Sequence, residues 1–205
     1  MQATTHWAFA DLMRRRYPAV RLDERRILCE DGRLISSAGA SAAMDLLLHL
    51  IRRFASRELA QQCSRYLLVD GVRSEQSVYI KWSMPRDHAD EAVRRVQDWL
   101  ESNFTAPVGI DELAERFGFG ARNFKRRFKD ATGYTPLAYL QALRLERAKH
   151  LLETTRLGFD AITTRVGYED GNSFRRLFCQ RVGISPAAFR KRFLRLPAAQ
   201  PEPSR

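Results

Sequence analysis

One segment of this chain is written twice. Ile110-Asp111-Glu112-Leu113-Ala114-Glu115-Arg116-Phe117-Gly118-Phe119 returns as Phe159-Asp160-Ala161-Ile162-Thr163-Thr164-Arg165-Val166-Gly167-Tyr168, 49 residues on from glycine to glycine. After one inserted residue the spacing becomes 50, so that Phe124, Lys125, Arg126, Phe128, Gly133, Thr135, Pro136 and Tyr139 correspond to Phe174, Arg175, Arg176, Phe178, Gly183, Ser185, Pro186 and Phe189. The repeated unit is a short helix, a glycine turn and a basic helix. That is the outline of a helix-turn-helix, and a tandem pair predicts a reader of consecutive major grooves.

Charge supports an anionic partner and places it. The 205 residues carry a formal net charge of +11. Sign alone leaves nucleic acid, an acidic membrane surface and an acidic protein open. Distribution says more: Arg122 to Lys129 holds five basic residues and no acid, and Arg175 to Arg195 holds seven and no acid. Each run coincides with one copy of the repeat. Cys29, Cys63 and Cys179 are odd in number, far apart and outside any metal-ligand spacing, which predicts reduced thiols in a cytoplasmic protein with no bound metal. The apolar run Leu46 to Ile51 is interrupted by His49 and followed by Arg52 and Arg53, too short to cross a bilayer.

With 44% hydrophobic residues the chain can bury a sizeable core, and its patterns divide it in two. Residues 1–70 read as a partial α/β segment. Thr4 to Trp7 suggests a strand end, Ala8 to Arg16 a helix closed by Pro18, and Val20 to Leu22 and Ile27 to Cys29 extended chain; Asp31-Gly32 turns into Leu34-Ile35. A helix capped by Ser41 then aligns Met44, Leu47, Leu48 and Ile51, and another from about Arg57 to Leu68 aligns Leu59, Cys63 and Leu67. Residues 71–86 read as a linker, 87–196 as the helical domain and 197–205 as a disordered tail. Within the domain an amphipathic helix from Asp87 to Asn103 precedes the first repeat, and a long helix from Pro136 to Glu153 joins it to the second. Pro186 opens the last helix.

In the first copy Leu113, Ala114 and Phe117 give the short helix one apolar face, and Gly118 supplies the positive φ that ends it. Phe124 and Phe128, at i and i+4, take the next helix to the core and leave Arg122, Asn123, Lys125, Arg126 and Lys129 pointing elsewhere. The second copy does the same with Phe174 and Phe178, leaving Asn172, Ser173, Arg175 and Arg176. Such faces carry the donors that duplex DNA needs, since arginine pairs with guanine, asparagine with adenine, and cations with phosphate. At about 1.5 Å per residue the joining helix spans roughly 27 Å, near the roughly 34 Å of one duplex turn. A helical bundle with merely solvated basic faces, or a scaffold for an acidic partner, fits the same charges.

Gly118-Phe119 through Phe128, Thr132-Gly133-Tyr134-Thr135-Pro136 and Tyr139, then Gly167-Tyr168 through Phe178, Gly183-Ile184-Ser185-Pro186 and Phe189-Arg190, resemble the AraC/XylS family of transcriptional regulators over about residues 88–195. The resemblance implies a mainly α chain with a seven-helix, tandem helix-turn-helix domain whose third and sixth helices enter the major groove of promoter or operator DNA. Carried onto this chain, those helices bring Arg122, Asn123, Lys125 and Arg126, and Asn172, Ser173, Arg175 and Arg176. Double-stranded DNA is then the partner, with RNA polymerase a further one. There are departures: Gly109 and Gly158 stand where Ser or Thr caps are common, and Thr163 where a small Ala is usual.

Thr4-Thr5-His6-Trp7, Asp31 through Gly39 and Met44-Asp45-Leu46 resemble the last part of a PfpI-like domain of the glutamine-amidotransferase-like superfamily. This implies a partial α/β domain of about 70 residues that begins downstream of the cysteine elbow, and a homodimer formed through it. An enzyme fragment with a basic appendage is the competing reading. It meets an objection in that neither Cys29 nor Cys63 lies in a glycine-flanked elbow, so no nucleophile, catalytic residue or cofactor can be assigned beside His6.

Overall fold

A computed structural model of the chain describes residues 1–70 and 73–194. It separates into two units, Met1–Ile80 and Lys81 onward. The expected tail, 197–205, lies outside the described residues.

In the first unit β1 (Gln2–Ala3) pairs in parallel with β2 (Arg21–Leu22), and β3 (Leu28–Asp31) forms a hairpin with β4 (Leu34–Ser37) through a turn in which Gly32 takes φ +64°. The strand expected at Thr4 to Trp7 ends sooner. Thr4 leaves β1 to donate its hydroxyl to the Arg26 carbonyl at 2.7 Å, and Trp7–Phe9 form a 3-10 turn ahead of α1 (Ala10–Arg16). α2 (Ala42–Phe54) packs on α3 (Arg57–Tyr66) and against β3 and β4.

Two sequence expectations fail at α2. Ser41 already has helical backbone angles, so its hydroxyl caps nothing and instead accepts from Arg73 Nη2 at 3.1 Å. The buried face is Ala42, Asp45 and Leu48, whereas Met44 and Leu47 are 41% and 47% exposed. The cause is Asp45: fully buried, it accepts from the Arg73 amide at 2.7 Å and from its guanidinium at 2.6 Å, which turns this face inward. On α3 the expected Leu59, Cys63 and Leu67 stripe is likewise largely exposed, and Ala60 is the buried residue. The stretch read as a linker divides at Ile80. Gln76 is buried in the first unit, donating to the Thr5 carbonyl at 2.8 Å, while Trp82 and Met84 pack on the core of the second.

The described residues of the second unit form seven helices: α4 (Glu91–Ser102), α5 (Ile110–Arg116), α6 (Ala121–Thr132), α7 (Pro136–Thr154), α8 (Phe159–Arg165), α9 (Gly171–Val182) and α10 (Pro186–Phe193). α4 starts later than Asp87 because Asp90 is its cap, accepting from the Val93 amide at 3.1 Å. One core joins Val93, Val96 and Leu100 of α4 to Leu113 and Ala114 of α5, Phe124 and Phe128 of α6, and Tyr139 and Leu140 of α7. In the second half Ile162, Phe174, Phe178, Val182 and Phe189 are buried, as are Leu143, Ala148 and Leu152 on α7. α7 therefore serves both halves.

The repeat is physical as well as textual. Phe128 meets Tyr139 edge-on at 5.3 Å and Phe178 meets Phe189 edge-on at 5.7 Å, the same favourable ring geometry in each half. Gly133 and Gly183 end α6 and α9 in the left-handed conformation. Thr135 and Ser185 then cap α7 and α10, each followed by a proline in the first turn that has no amide to leave unsatisfied. Two of the three departures are accommodated: the Gly109 amide donates to Glu112 Oε2 at 3.2 Å, and buried Thr163 returns its hydroxyl to the Phe159 carbonyl at 2.9 Å.

Candidate nucleic-acid interface

α6 and α9 are the second helices of the two repeated units. Each has an inward edge made of two phenylalanines a turn apart, all four fully buried. That burial sets the rotation of each helix about its own axis and leaves its cations in solvent. Arg122, Asn123, Lys125, Arg126 and Lys129 on α6, and Asn172, Ser173, Arg175 and Arg176 on α9, are all exposed.

Their surroundings differ in a way that composition conceals. At the matched positions 125 and 175 both side chains lean back on the preceding short helix. Lys125 Nζ lies 2.7 Å from Asp111 Oδ1, and the Arg175 guanidinium sits 5.0 Å from the Phe159 ring centroid. At positions 126 and 176 each arginine is held by the residue one turn earlier: Arg126 Nη2 donates to Asn123 Oδ1 at 3.2 Å, and Arg176 Nη2 to Ser173 Oγ at 3.1 Å. Arg122, Lys129 and the side chain of Asn172 make no such contact among the described residues.

Three further residues, Asp90, Arg127 and Asp170, shape the site and are not among those singled out from sequence. Arg127 bonds both oxygens of Asp90 at 2.5 and 3.0 Å, so this member of the basic run fastens α6 to the start of α4. The Arg127 guanidinium in turn holds the Asp90 carboxyl below its usual range. Asp170 caps α9, accepting from the amides of Asn172 and Ser173 at 3.0 Å each; hydrogen bonding by Ser173, then by these amides, keeps its carboxyl low as well. The signal for Asp170 was present in an acid just ahead of a basic helix. Asp90 and Arg127, 37 residues apart, offered none.

Arg144 on α7 ties the halves together. It donates to the carbonyls of Phe104 at 2.6 Å and Ala106 at 3.1 Å, and its guanidinium lies 5.2 Å from the Tyr168 ring centroid. Burial lowers its pKa and raises that of the Tyr168 phenol.

Residues 113–192 match the model of a helix-turn-helix domain family. The carboxy-terminal unit, in which a short helix and a basic helix recur, is a tandem helix-turn-helix domain. Its fold is similar to the C-terminal domain of AraT, a response regulator from Geobacillus stearothermophilus, with TM-score 0.52 and 24% identity over 55% of this chain and 93% of that one; the likeness speaks to fold. The chain is 28% identical to the HTH-type transcriptional regulator GbdR of Pseudomonas aeruginosa over 89% of its own length and 50% of that protein's. To the HTH-type transcriptional regulator CdhR of the same species it is 29% identical over 98% and 60%. The chain thus spans about half to three-fifths of the length of these regulators, and its residues 113–192 carry a helix-turn-helix domain.

A catalytic reading gains nothing from the first unit. His6 Nδ1 accepts from the Ala8 amide at 3.2 Å, capping the 3-10 turn. Burial raises the pKa of the Cys29 thiol, the opposite of what activates a nucleophile. Among the described residues no group of three or more His, Cys, Asp or Glu is placed to hold a metal ion, and no helix is long and apolar enough to cross a membrane.

Proposed function

We propose that the whole chain acts in the cytoplasm as a sequence-specific regulator of transcription, inserting α6 and α9 into successive major grooves of promoter or operator DNA. The observation that carries this is the duplicated pair of helices, each anchored by two buried phenylalanines and each presenting an exposed face of Arg, Lys, Asn or Ser. Such a face supplies salt-dependent phosphate contacts and base-edge donors together. α7, whose 19 residues span about 28 Å, is of the length needed to hold the two helices one duplex turn apart. The face turned to DNA is assigned to Arg122, Asn123, Lys125, Arg126 and Lys129 of α6 and to Asn172, Ser173, Arg175 and Arg176 of α9.

The first unit fits the last part of a PfpI-like domain, a reading supported by the match to GbdR and CdhR continuing through it. A second copy of the chain is the partner assigned to this unit, because Phe54, Tyr66 and Leu68 are 76%, 90% and 93% exposed on it. RNA polymerase is the partner assigned to the DNA-bound protein.

Selection from a pool of random duplexes, followed by competition, tests the reading. A recovered duplex should stay bound in a large excess of random DNA. Loss of that duplex at the first addition of competitor would mark the basic helices as a general polycation.

A further inference from the structure

The intrahelical bonds on α6 and α9 say which residues read bases and which only aim them. Asn123 was expected to pair with adenine. That pairing needs its Oδ1 to accept from the adenine amino group while Nδ2 donates to N7. Here Oδ1 already accepts from Arg126 Nη2 at 3.2 Å, and at the matched position Ser173 Oγ accepts from Arg176 Nη2 at 3.1 Å. Asn and Ser share little but an acceptor oxygen within reach of the arginine one turn on. Each bond uses one of five guanidinium donors and leaves the planar fork with enough to meet O6 and N7 of guanine. The fork is also held in one orientation before DNA arrives, so less side-chain freedom is lost on binding.

We propose that Arg126 and Arg176 each read a guanine at matching places in two half-sites, and that Asn123 and Ser173 are positioning residues that aim them. The half-sites differ at the neighbouring place. There Arg122 and Asn172 occupy matched positions, and neither side chain has a partner among the described residues. Arg122 takes guanine in one half-site, and Asn172, with both amide atoms available, takes adenine in the other. The inference rests on the DNA-binding reading above.

Duplexes recovered by selection are resynthesised with 7-deazaguanine, which lacks the N7 acceptor, at each guanine in turn. At the two matching guanines the wild-type protein should lose about 5- to 150-fold in affinity. Arg126→Ala should become insensitive at one of the two and Arg176→Ala at the other. Asn123→Ser, which installs the residue of the second copy, should keep the guanine preference and leave every adenine preference unchanged. Asn123→Ala should weaken binding with the adenine profile likewise unaltered. Thermal melting of each variant without DNA separates these outcomes from loss of fold. Enriched duplexes without guanines at matching places, or an adenine preference abolished by Asn123→Ala, would overturn the inference and leave DNA binding standing. Failure to enrich any duplex would remove both.

Discussion

Gly167 abuts Thr105: with φ at +82°, a β-carbon on this glycine would lie 2.7 Å from both the Cα and the carbonyl oxygen of Thr105. The contact joins the turn of the second repeat to the loop that follows α4. Gly118, its counterpart, has φ +74° and open space around it. The same substitution should therefore have unequal effects. Gly118→Ala meets the left-handed strain alone, about 1–2 kcal/mol. Gly167→Ala adds an overlap with backbone that cannot swing aside, about 1–3 kcal/mol more. Urea denaturation of the two variants checks this, and equal losses would show that the Thr105 contact relaxes freely.

The ion pair between Asp90 and Arg127 gives a pH dependence whose sign can be worked out. An unfolded aspartate titrates near about 3.9. In the fold Arg127 holds Asp90 below its usual value, so the stabilisation is complete above the unfolded pKa and disappears as pH falls through the folded one. Asp90→Asn keeps a good helix cap but removes the charge. At neutral pH the variant should melt below the parent, and the two melting temperatures should converge as the solution is acidified from about pH 4. Parallel curves would show that the pair contributes nothing.

How much of this could be read from the chain itself follows from the range of the interactions. The repeat, its glycine turns, the capped prolines and the Phe124/Phe128 and Phe174/Phe178 edges all depend on residues within a few positions of one another, and periodicity displays them. The bracing of Arg126 by Asn123 has the same range. Periodicity does not display it, because an outward-facing asparagine offers the same oxygen to a neighbouring arginine and to a base. The inward face of α2 was hidden for another reason: Arg73, 28 residues after Asp45, makes a charged residue the buried one and leaves Met44 and Leu47 in solvent. Gln76 holds Thr5 across 71 residues in a stretch whose composition suggests a linker.

The two aromatic edges predict where damage will be felt. Phe128 and Phe178 are fully buried, and truncation of either to alanine should cost about 3–5 kcal/mol. Phe128 lies in the core of the first half with Tyr139, Phe178 packs on Phe189 in the second, and α7 packs against α6 as well as α8 and α10. Hydrogen exchange should therefore lose protection first in α5 and α6 for Phe128→Ala, and in α8 and α9 for Phe178→Ala. Uniform loss across both halves would mean that α7 couples them into one cooperative unit.

Lys129 distinguishes holding DNA from reading it. It is exposed in the last turn of α6, its ammonium bonded to nothing among the described residues, and its counterpart in the second copy is the half-buried Cys179. The repeat therefore lacks a cation at that place in its second half, as expected of a position that adds attraction without carrying sequence. A single point charge meeting one phosphate releases about one counterion, whereas a base contact discriminates between duplexes. Lys129→Ala should accordingly weaken binding to selected and random duplexes by the same factor, and lower the slope of log affinity against log salt by about 1. Arg176→Ala should instead weaken the selected duplex far more than random DNA. A Lys129→Ala protein that loses affinity for the selected duplex alone would move Lys129 to the base-reading group and place the axis of α6 at a different angle in the groove.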